Sequence, residues 1–400
     1  MKKILSLIIL TFYASSIFAQ FNILNQGKIK QKKYFQEISY QEIEGLLIVP
    51  VTINGKIYKF LFDTGCSAWA ISDKIFKEMN LKVIRQINAF DESGEKETMR
   101  LVLVPEIDLD GIIFRNTPAV VFHENAESSK YAECFGVDGV IGSNMLRNSV
   151  VQFDAQNKQI IITNDIKRVL LQNSECQKMS LELNAPYINI TFQKGAQRAV
   201  DNVLFDTGNS GFLSLSLNEL NGCVVDTIAE SEGSFALGAH GFYKKQNHLL
   251  ILIPEFVVHG LIFNNVITST TQGKNSGIGV KFLQYGKTTL DYKKKRFYFE
   301  PYENIRIDEH SEMPWTVGFT FQNNKMVVGI IWDKQIESTI NLGDEVLSIN
   351  GIDLQSMNFC ELFILKISVD DEMILELRNI DTKEIKKVKI KRLQLNKVIE

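Results

Sequence analysis

Two aspartates stand in the same tripeptide behind the same kind of lead-in. The first run is Phe60-Leu61-Phe62-Asp63-Thr64-Gly65 and the second is Val203-Leu204-Phe205-Asp206-Thr207-Gly208. An apolar strand that ends on a carboxylate carries a charge to the edge of a core. Two such ends meeting across a pseudo-two-fold axis set two carboxylates face to face. At about 3 Å apart both cannot ionise, so they share one proton. One carboxylate then activates a water as general base while the other protonates a leaving group. The pair titrates as a unit, and neither role is assigned to one residue. Gly65 and Gly208 allow the tight turns that leave the carboxylates coplanar. Thr64 and Thr207 bring hydroxyls able to bond across the two loops and lock them together. A single Asp-Thr-Gly also reads as a β-turn with an Asx-type bond. The second copy, and the repeat around it, favour a site.

The elements that must position these residues recur as well. Pro105-Glu106, Gly111, Ile113-Phe114 and Asn116 match Pro254-Glu255, Gly260, Ile262-Phe263 and Asn265, all at an offset of 149 residues. Val140-Ile141-Gly142 with Met145-Leu146 matches Gly277-Ile278-Gly279 with Phe282-Leu283, and 12 residues separate Gly142 from Asp154 as they separate Gly279 from Asp291. A period this long is a duplicated domain rather than a solenoid. Each copy reads as β-rich. Leu46–Ile53, Asn54-Gly55 and Lys56–Phe60 form a strand, a type I′ turn and a strand. Tyr187–Phe192, Lys194-Gly195 and Ala199–Phe205 repeat that plan. Leu101–Val104, Ile112–Phe114, Ala119–Phe122, Val150–Phe153 and Ile160–Ile162 read as further short strands of a closed or folded-over sheet. Short helices are expected at Ser143–Arg147 and Val280–Gln284. The basic run Lys293–Arg296 reads as a solvated hairpin turn.

On these motifs, residues 42–163 and 178–300 each resemble a retropepsin-type aspartic protease domain. The resemblance rests on the apolar Asp-Thr-Gly loop, the segment Gly139–Leu146 and the closing strand with Asp154. It implies a mainly β fold: two retropepsin-like β-barrel lobes forming a pepsin-like bilobal protease. It makes Asp63 and Asp206 catalytic and Thr64 and Thr207 an interlocking grip, and it places flaps near Phe90–Glu97 and Leu237–Tyr243, with Gly94, Gly238 and Gly241 at bendable tips. The sequence departs from the family after each triplet, where Cys66 and Asn209 replace the usual Ser or Ala. Cys is a poor donor and Asn a better one. An asymmetric pair with an optimum less acidic than pepsin's is therefore expected. Gly208-Asn209-Ser210-Gly211 looks like a serine-protease nucleophile loop. The only upstream histidine, His123, lacks that family's setting, and Ser210 has a repeat partner in Ser67.

The chain has 400 residues, 45% hydrophobic and 23% charged, with a net charge of −3. That is ordinary globular composition, and it implies neither a nucleic-acid partner nor an anionic membrane surface. Lys2-Lys3, the apolar run Ile4–Tyr13 and Ala19 before Gln20 read as a signal peptide, residues 1–19. The expected location is secreted or periplasmic, with no membrane anchor after cleavage. No propeptide stands out, and Gln20–Gln41 is the one short stretch available to cover a cleft. The five cysteines, Cys66, Cys134, Cys176, Cys223 and Cys360, are odd in number and scattered, so no disulfide framework is expected. No metal-ligand motif occurs, and neither metal nor cofactor is expected.

Beyond the lobes, 20–165 and 166–302, the texture changes. Tyr302–Glu312 reads as a charged linker. Asn341–Gly351 then strongly resembles the Gly-Asp-x-Val-Leu-x-Ile-Asn-Gly signature of PDZ domains, which the resemblance extends over about 312–394 within a C-terminal region of 303–400. It implies that Gly318, Phe319, Thr320 and Phe321 form the carboxylate-binding loop and pocket. Cys360–Ile367 would be the helix beside the groove, and Met373–Leu377 and Ile385–Ile390 the closing strands. The partners expected are protein or peptide substrates in the cleft and protein C-termini at the PDZ domain. The function expected is an exported aspartic endopeptidase. The alternatives are a peptide-binding protein whose protease fold has lost activity, and a closed-off PDZ domain that braces the lobes.

Overall fold

The structure is a computed structural model and describes residues 23–90, 96–122, 127–169, 171, 175–220, 224–234, 237–238, 241–242, 244–303, 306–308, 313–366 and 371–394. The expected leader, His123, Gly94, Cys223, Tyr243 and Ile367 lie outside these residues. The protein is mainly β. Two nine-stranded sheets each curl on themselves, a six-stranded sheet lies between them, and a second six-stranded sheet follows.

The two nine-stranded sheets are wired alike. In the first, Leu46–Ile53 and Lys56–Phe62 form a hairpin through Asn54 and Gly55, both at positive φ. In the second, Ala185–Lys194 and Gln197–Asp206 do the same. A short strand, Gly139–Ile141, then runs parallel to Lys56–Phe62, and Gly277–Gly279 runs parallel to Gln197–Asp206. This return strand braces each Asp-bearing strand from its inner side. The hydrophobic side chains of both sheets and of the sheet between them form one continuous core, centred on Phe62, Phe153, Phe205, Phe282 and Phe297.

Several expected short strands are parts of longer ones. Leu101–Val104 lies within Lys96–Leu109, and Ile112–Phe114 and Ala119–Phe122 fall along Ile112–Val121 with Phe122 just beyond it. The pairing between these two strands passes from Val104↔Thr117 to Glu106↔Arg115, leaving Pro105 opposite Asn116 outside the ladder. Proline has no N–H to give, and Asn116 takes a positive φ of 49°. The same gap recurs at Pro254 and Asn265, with Asn265 at φ 57°. Proline and asparagine look like strand ends in a sequence. Here they interrupt the ladder inside a strand without shifting its register.

The sheet between the two curled sheets draws strands from both halves. Val150–Asp154 pairs antiparallel with Gly286–Asp291, joining the halves by backbone bonds. Phe35–Ser39 forms one edge of this sheet, and Lys28–Ile29 adds to the first curled sheet. Within the expected stretch Gln20–Gln41, these two strands are built into the fold. The expected linker is partly structural too. Tyr302 Oη donates to Asp154 at 3.0 Å, and Arg306–Asp308 pairs with the second curled sheet. The helices fall where expected after Gly142 and Gly279: Ser143–Leu146 is α-helical and Val280–Tyr285 is a 3₁₀ turn.

The C-terminal sheet holds its own core around Val328, Ile349, Leu375 and Leu377. Its helix is Phe359–Phe363, shorter than expected. Cys360 on that helix is disulfide-bonded to Cys134 at the end of the helix Glu127–Cys134. The pairing, which the scattered spacing left open, joins two helices 226 residues apart in sequence. Among the described residues, no helix is long and apolar enough to cross a membrane.

Candidate active site

The two Asp-Thr-Gly loops meet. Thr64 and Thr207 are both 0% exposed and bond reciprocally. Thr64 Oγ1 donates to Phe205 O at 2.6 Å and accepts from Thr207 N–H at 3.0 Å. Thr207 Oγ1 donates to Phe62 O at 2.7 Å and accepts from Thr64 N–H at 3.1 Å. Each buried hydroxyl thus gives and takes once, pairing an N–H and a C=O of the opposite loop. The expected lock between the loops is present atom for atom.

The lock sets the two carboxylates against each other. Asp63 and Asp206 hydrogen-bond side chain to side chain, and each keeps partial solvent access. A Cβ on Gly65 would overlap the Asp206 carboxylate, and one on Gly208 would overlap that of Asp63. Glycine is required at both positions by this close approach. Gly142 and Gly279 behave alike one layer out, where a Cβ would enter the backbone of Ala68 or of Gly211.

Backbone N–H groups hold the carboxylates. Cys66 N–H donates to Asp63 Oδ1 and Gly208 N–H donates to Asp206 Oδ1, each at 2.8 Å. Burial, and then the negative charge of Asp206, push the Asp63 carboxyl well above the usual carboxylate range. Burial raises Asp206 as well. The pair therefore keeps one proton at a pH where two separate surface carboxylates have lost both. Such a pair has a base and an acid in contact, which is what activating a water and protonating a leaving group requires.

The side chains after the triplets do not serve the carboxylates as expected. Cys66 Sγ turns to Ala68 O at 2.9 Å, and Asn209 Oδ1 accepts from Gly211 N–H at 2.8 Å. Burial and the neighbouring Asp63 push the Cys66 thiol up to about 12, so it stays neutral. The loops differ elsewhere. Ser143 Oγ bonds Thr64 O at 2.7 Å and Tyr292 Oη at 3.0 Å. The sequence reading passed over both residues. Their signal was a broken repeat, since Val280 stands at the matching position to Ser143 and Ala155 at that to Tyr292.

The flaps expected near Phe90–Glu97 and Leu237–Tyr243 lie partly outside the described residues, which hold the strand pairs that lead to them. Val83–Phe90 pairs with Lys96–Leu109, and Asp226–Gly233 pairs with Gln246–Val258. The second of these touches the C-terminal sheet: Ser234 N–H donates to Gly329 O at 2.8 Å and Ser231 Oγ to Ile331 O at 2.5 Å. Phe242, on the small hairpin Leu237–Gly238 and Gly241–Phe242, lies 5.6 Å from Phe321, ring centre to ring centre.

Gly318, Phe319, Thr320 and Phe321 all fall on the strand Val317–Gln322, with a register shift between Gly318 and Phe319. Thr320 is buried. Phe321, Phe359 and Phe363 form one aromatic surface, and Tyr131 sits 5.6 Å from Phe359 and 5.1 Å from Phe363. No cluster able to hold a metal ion occurs among the described residues.

Compared with known proteins, residues 49–148 match the family model described as gag-polyprotein putative aspartyl protease. That span holds Asp63, Thr64 and Gly65 and runs past Gly142. No curated protein matches the chain significantly.

Proposed function

We propose that this protein is an exported, single-chain aspartic endopeptidase, built from two duplicated lobes that each supply one member of a catalytic dyad. The observation that carries this reading is the hydrogen-bonded pair Asp63 and Asp206, held by reciprocal threonine bonds. In this mechanism the singly protonated dyad binds a water. The ionised carboxylate takes a proton from it as it attacks the peptide carbonyl. The protonated carboxyl hydrogen-bonds the carbonyl oxygen, and a proton then passes to the leaving nitrogen. Export fits the leader-like residues 1–19 and the disulfide, which persists in oxidising compartments.

The C-terminal region is, in this reading, a PDZ-type domain whose groove is filled from within. Tyr131 and Phe242 cover the rings of Phe321, Phe359 and Phe363, where a peptide would lie. Those contacts favour a brace that holds the second hairpin. Capture of a free C-terminus at Gly318 and Phe319 requires both rings to leave.

The test is cleavage of a mixed peptide library from about pH 3 to pH 8 by the mature protein, beside Asp63→Asn and Asp206→Asn. Cleavage by the parent alone, blocked by a statine-type transition-state analogue, supports the dyad. Turnover by either variant at the parent's rate removes it. A parent that binds the analogue and cuts nothing supports the alternative, a peptide-binding protein on a protease fold. For the C-terminal domain, free-carboxylate peptides should bind more tightly than amidated ones once Tyr131→Ala and Phe242→Ala together open the groove. Equal binding would exclude carboxylate capture.

A further inference from the structure

The two Asp loops share a backbone frame with unequal support behind it. Ser143 N–H donates to Cys66 O at 2.8 Å, and Val280 N–H donates to Asn209 O at 2.8 Å. Positions 143 and 280 are thus equivalent, one carrying a hydroxyl and the other an isopropyl group. Ser143 Oγ lies 2.7 Å from Thr64 O and 3.0 Å from Tyr292 Oη. A carbonyl oxygen only accepts, so the Ser143 proton points at Thr64 O. Ser143 Oγ is then left to accept the Tyr292 proton. The chain has one direction: Tyr292 O–H to Ser143 O–H to Thr64 C=O. Ser143 is 0% and Tyr292 1% exposed, so water does not compete for these bonds. Tyr292 follows Asp291 as Ala155 follows Asp154, so the second half supplies a phenol to the first and receives none in return.

Thr64 C=O belongs to the same peptide group as Gly65 N–H, which faces the two carboxylates, and Gly65 packs so closely on Asp206 that a Cβ there would overlap its carboxylate carbon. Hydrogen bonds in series polarise one another, more so in a buried setting. Drawing electron density to the carbonyl oxygen makes the N–H on the other side a stronger donor. We propose that Ser143 and Tyr292 are positioning residues that act through the Thr64–Gly65 peptide to stabilise the negative charge of the singly ionised Asp63–Asp206 pair. This inference rests on the proposed dyad. The titratable groups set against the pair are Cys66, on the first loop, and Tyr292, behind it. Burial raises both, so both stay neutral from acid to neutral pH, and the pH response there belongs to the pair.

The test uses Tyr292→Phe, which removes one O–H and keeps the ring, and Ser143→Ala, which removes both links. The acid limb of kcat/KM should move to higher pH by about half a unit in Tyr292→Phe and by up to about one unit in Ser143→Ala. The double variant should move no further than Ser143→Ala alone, because the two residues act in series. Titration of ¹³C-carboxyl-labelled aspartates by NMR reads the same first ionisation without turnover. A shifted titration in a parent that cuts nothing would uphold the inference and sink the protease reading. An active parent with an unmoved acid limb and an unmoved titration in folded Tyr292→Phe and Ser143→Ala would overturn the inference alone.

Discussion

The loop around Asp63 and the loop around Asp206 cross through the same threonine bonds with different company. At the crossing they are interchangeable: each threonine gives one bond and takes one, and each glycine makes room for the other loop's carboxylate. One layer back they diverge, with Ser143 and Tyr292 behind the first and Val280 and Ala155 at the matching places in the second. The threonine crossing has kept its symmetry, and the layer that supports it has not. Symmetry is enforced where two surfaces must fit each other. It is released where each half packs against its own interior.

That comparison can be broken most directly at the aspartates. Asp63→Asn and Asp206→Asn should each lower kcat/KM by about a thousandfold or more, because general acid–base catalysis needs both groups. Comparable losses would keep the pair a unit, and a mild loss at one site would make the loops functionally unequal. Gly65→Ala and Gly208→Ala come next. Each added Cβ displaces the opposite carboxylate, so each should cost about a hundredfold in kcat/KM, with substrate analogues still bound. Thr64→Val and Thr207→Val act on stability. Each strands a buried N–H and a buried C=O, a cost of about 1–3 kcal/mol per group, read as a lower Tm of similar size in both.

The smallest effect is a pH dependence. Below the ordinary carboxylate range, about pH 4, both the folded pair and the unfolded chain hold their protons. As pH rises, the unfolded chain loses both while the folded pair keeps one, so the pair's contribution to stability falls until its raised range is passed. Asp206→Asn removes one of the two charges. Its Tm should exceed the parent's near neutral pH, and the gain should vanish near about pH 4. A gain that persists at acid pH would assign the effect to packing.

Much of the site was legible because its chemistry sits in contiguous residues. Asp63, Thr64 and Gly65 announce a loop, and a second copy behind an equal apolar lead-in announces its partner. The hairpin at Asn54-Gly55 and the turns after Gly142 and Gly279 were legible for the same local reason. The long strands were not, because Pro105 and Asn116 carry the marks of a strand end and are one unpaired step within a continuous register. Ser143 and Tyr292 were hidden because they meet across the two halves, 149 residues apart. The role of Asn209 was misjudged because side-chain chemistry fixes what a group can donate but not where it turns. The Cys134–Cys360 pairing belongs to the same class of blindness, since it depends on how the C-terminal sheet docks.

That disulfide also decides how the molecule comes apart. It closes a covalent ring that contains Asp206 and leaves Asp63 outside, on the chain that leads into it. A cut anywhere between residues 134 and 360 opens the ring and releases nothing: both pieces travel as one mass until a reductant is added. A cut before residue 134 frees its fragment at once. Under the proposed activity, nicking by its own sister molecules would go unseen on a denaturing gel run without thiol and become visible on the same gel run with it.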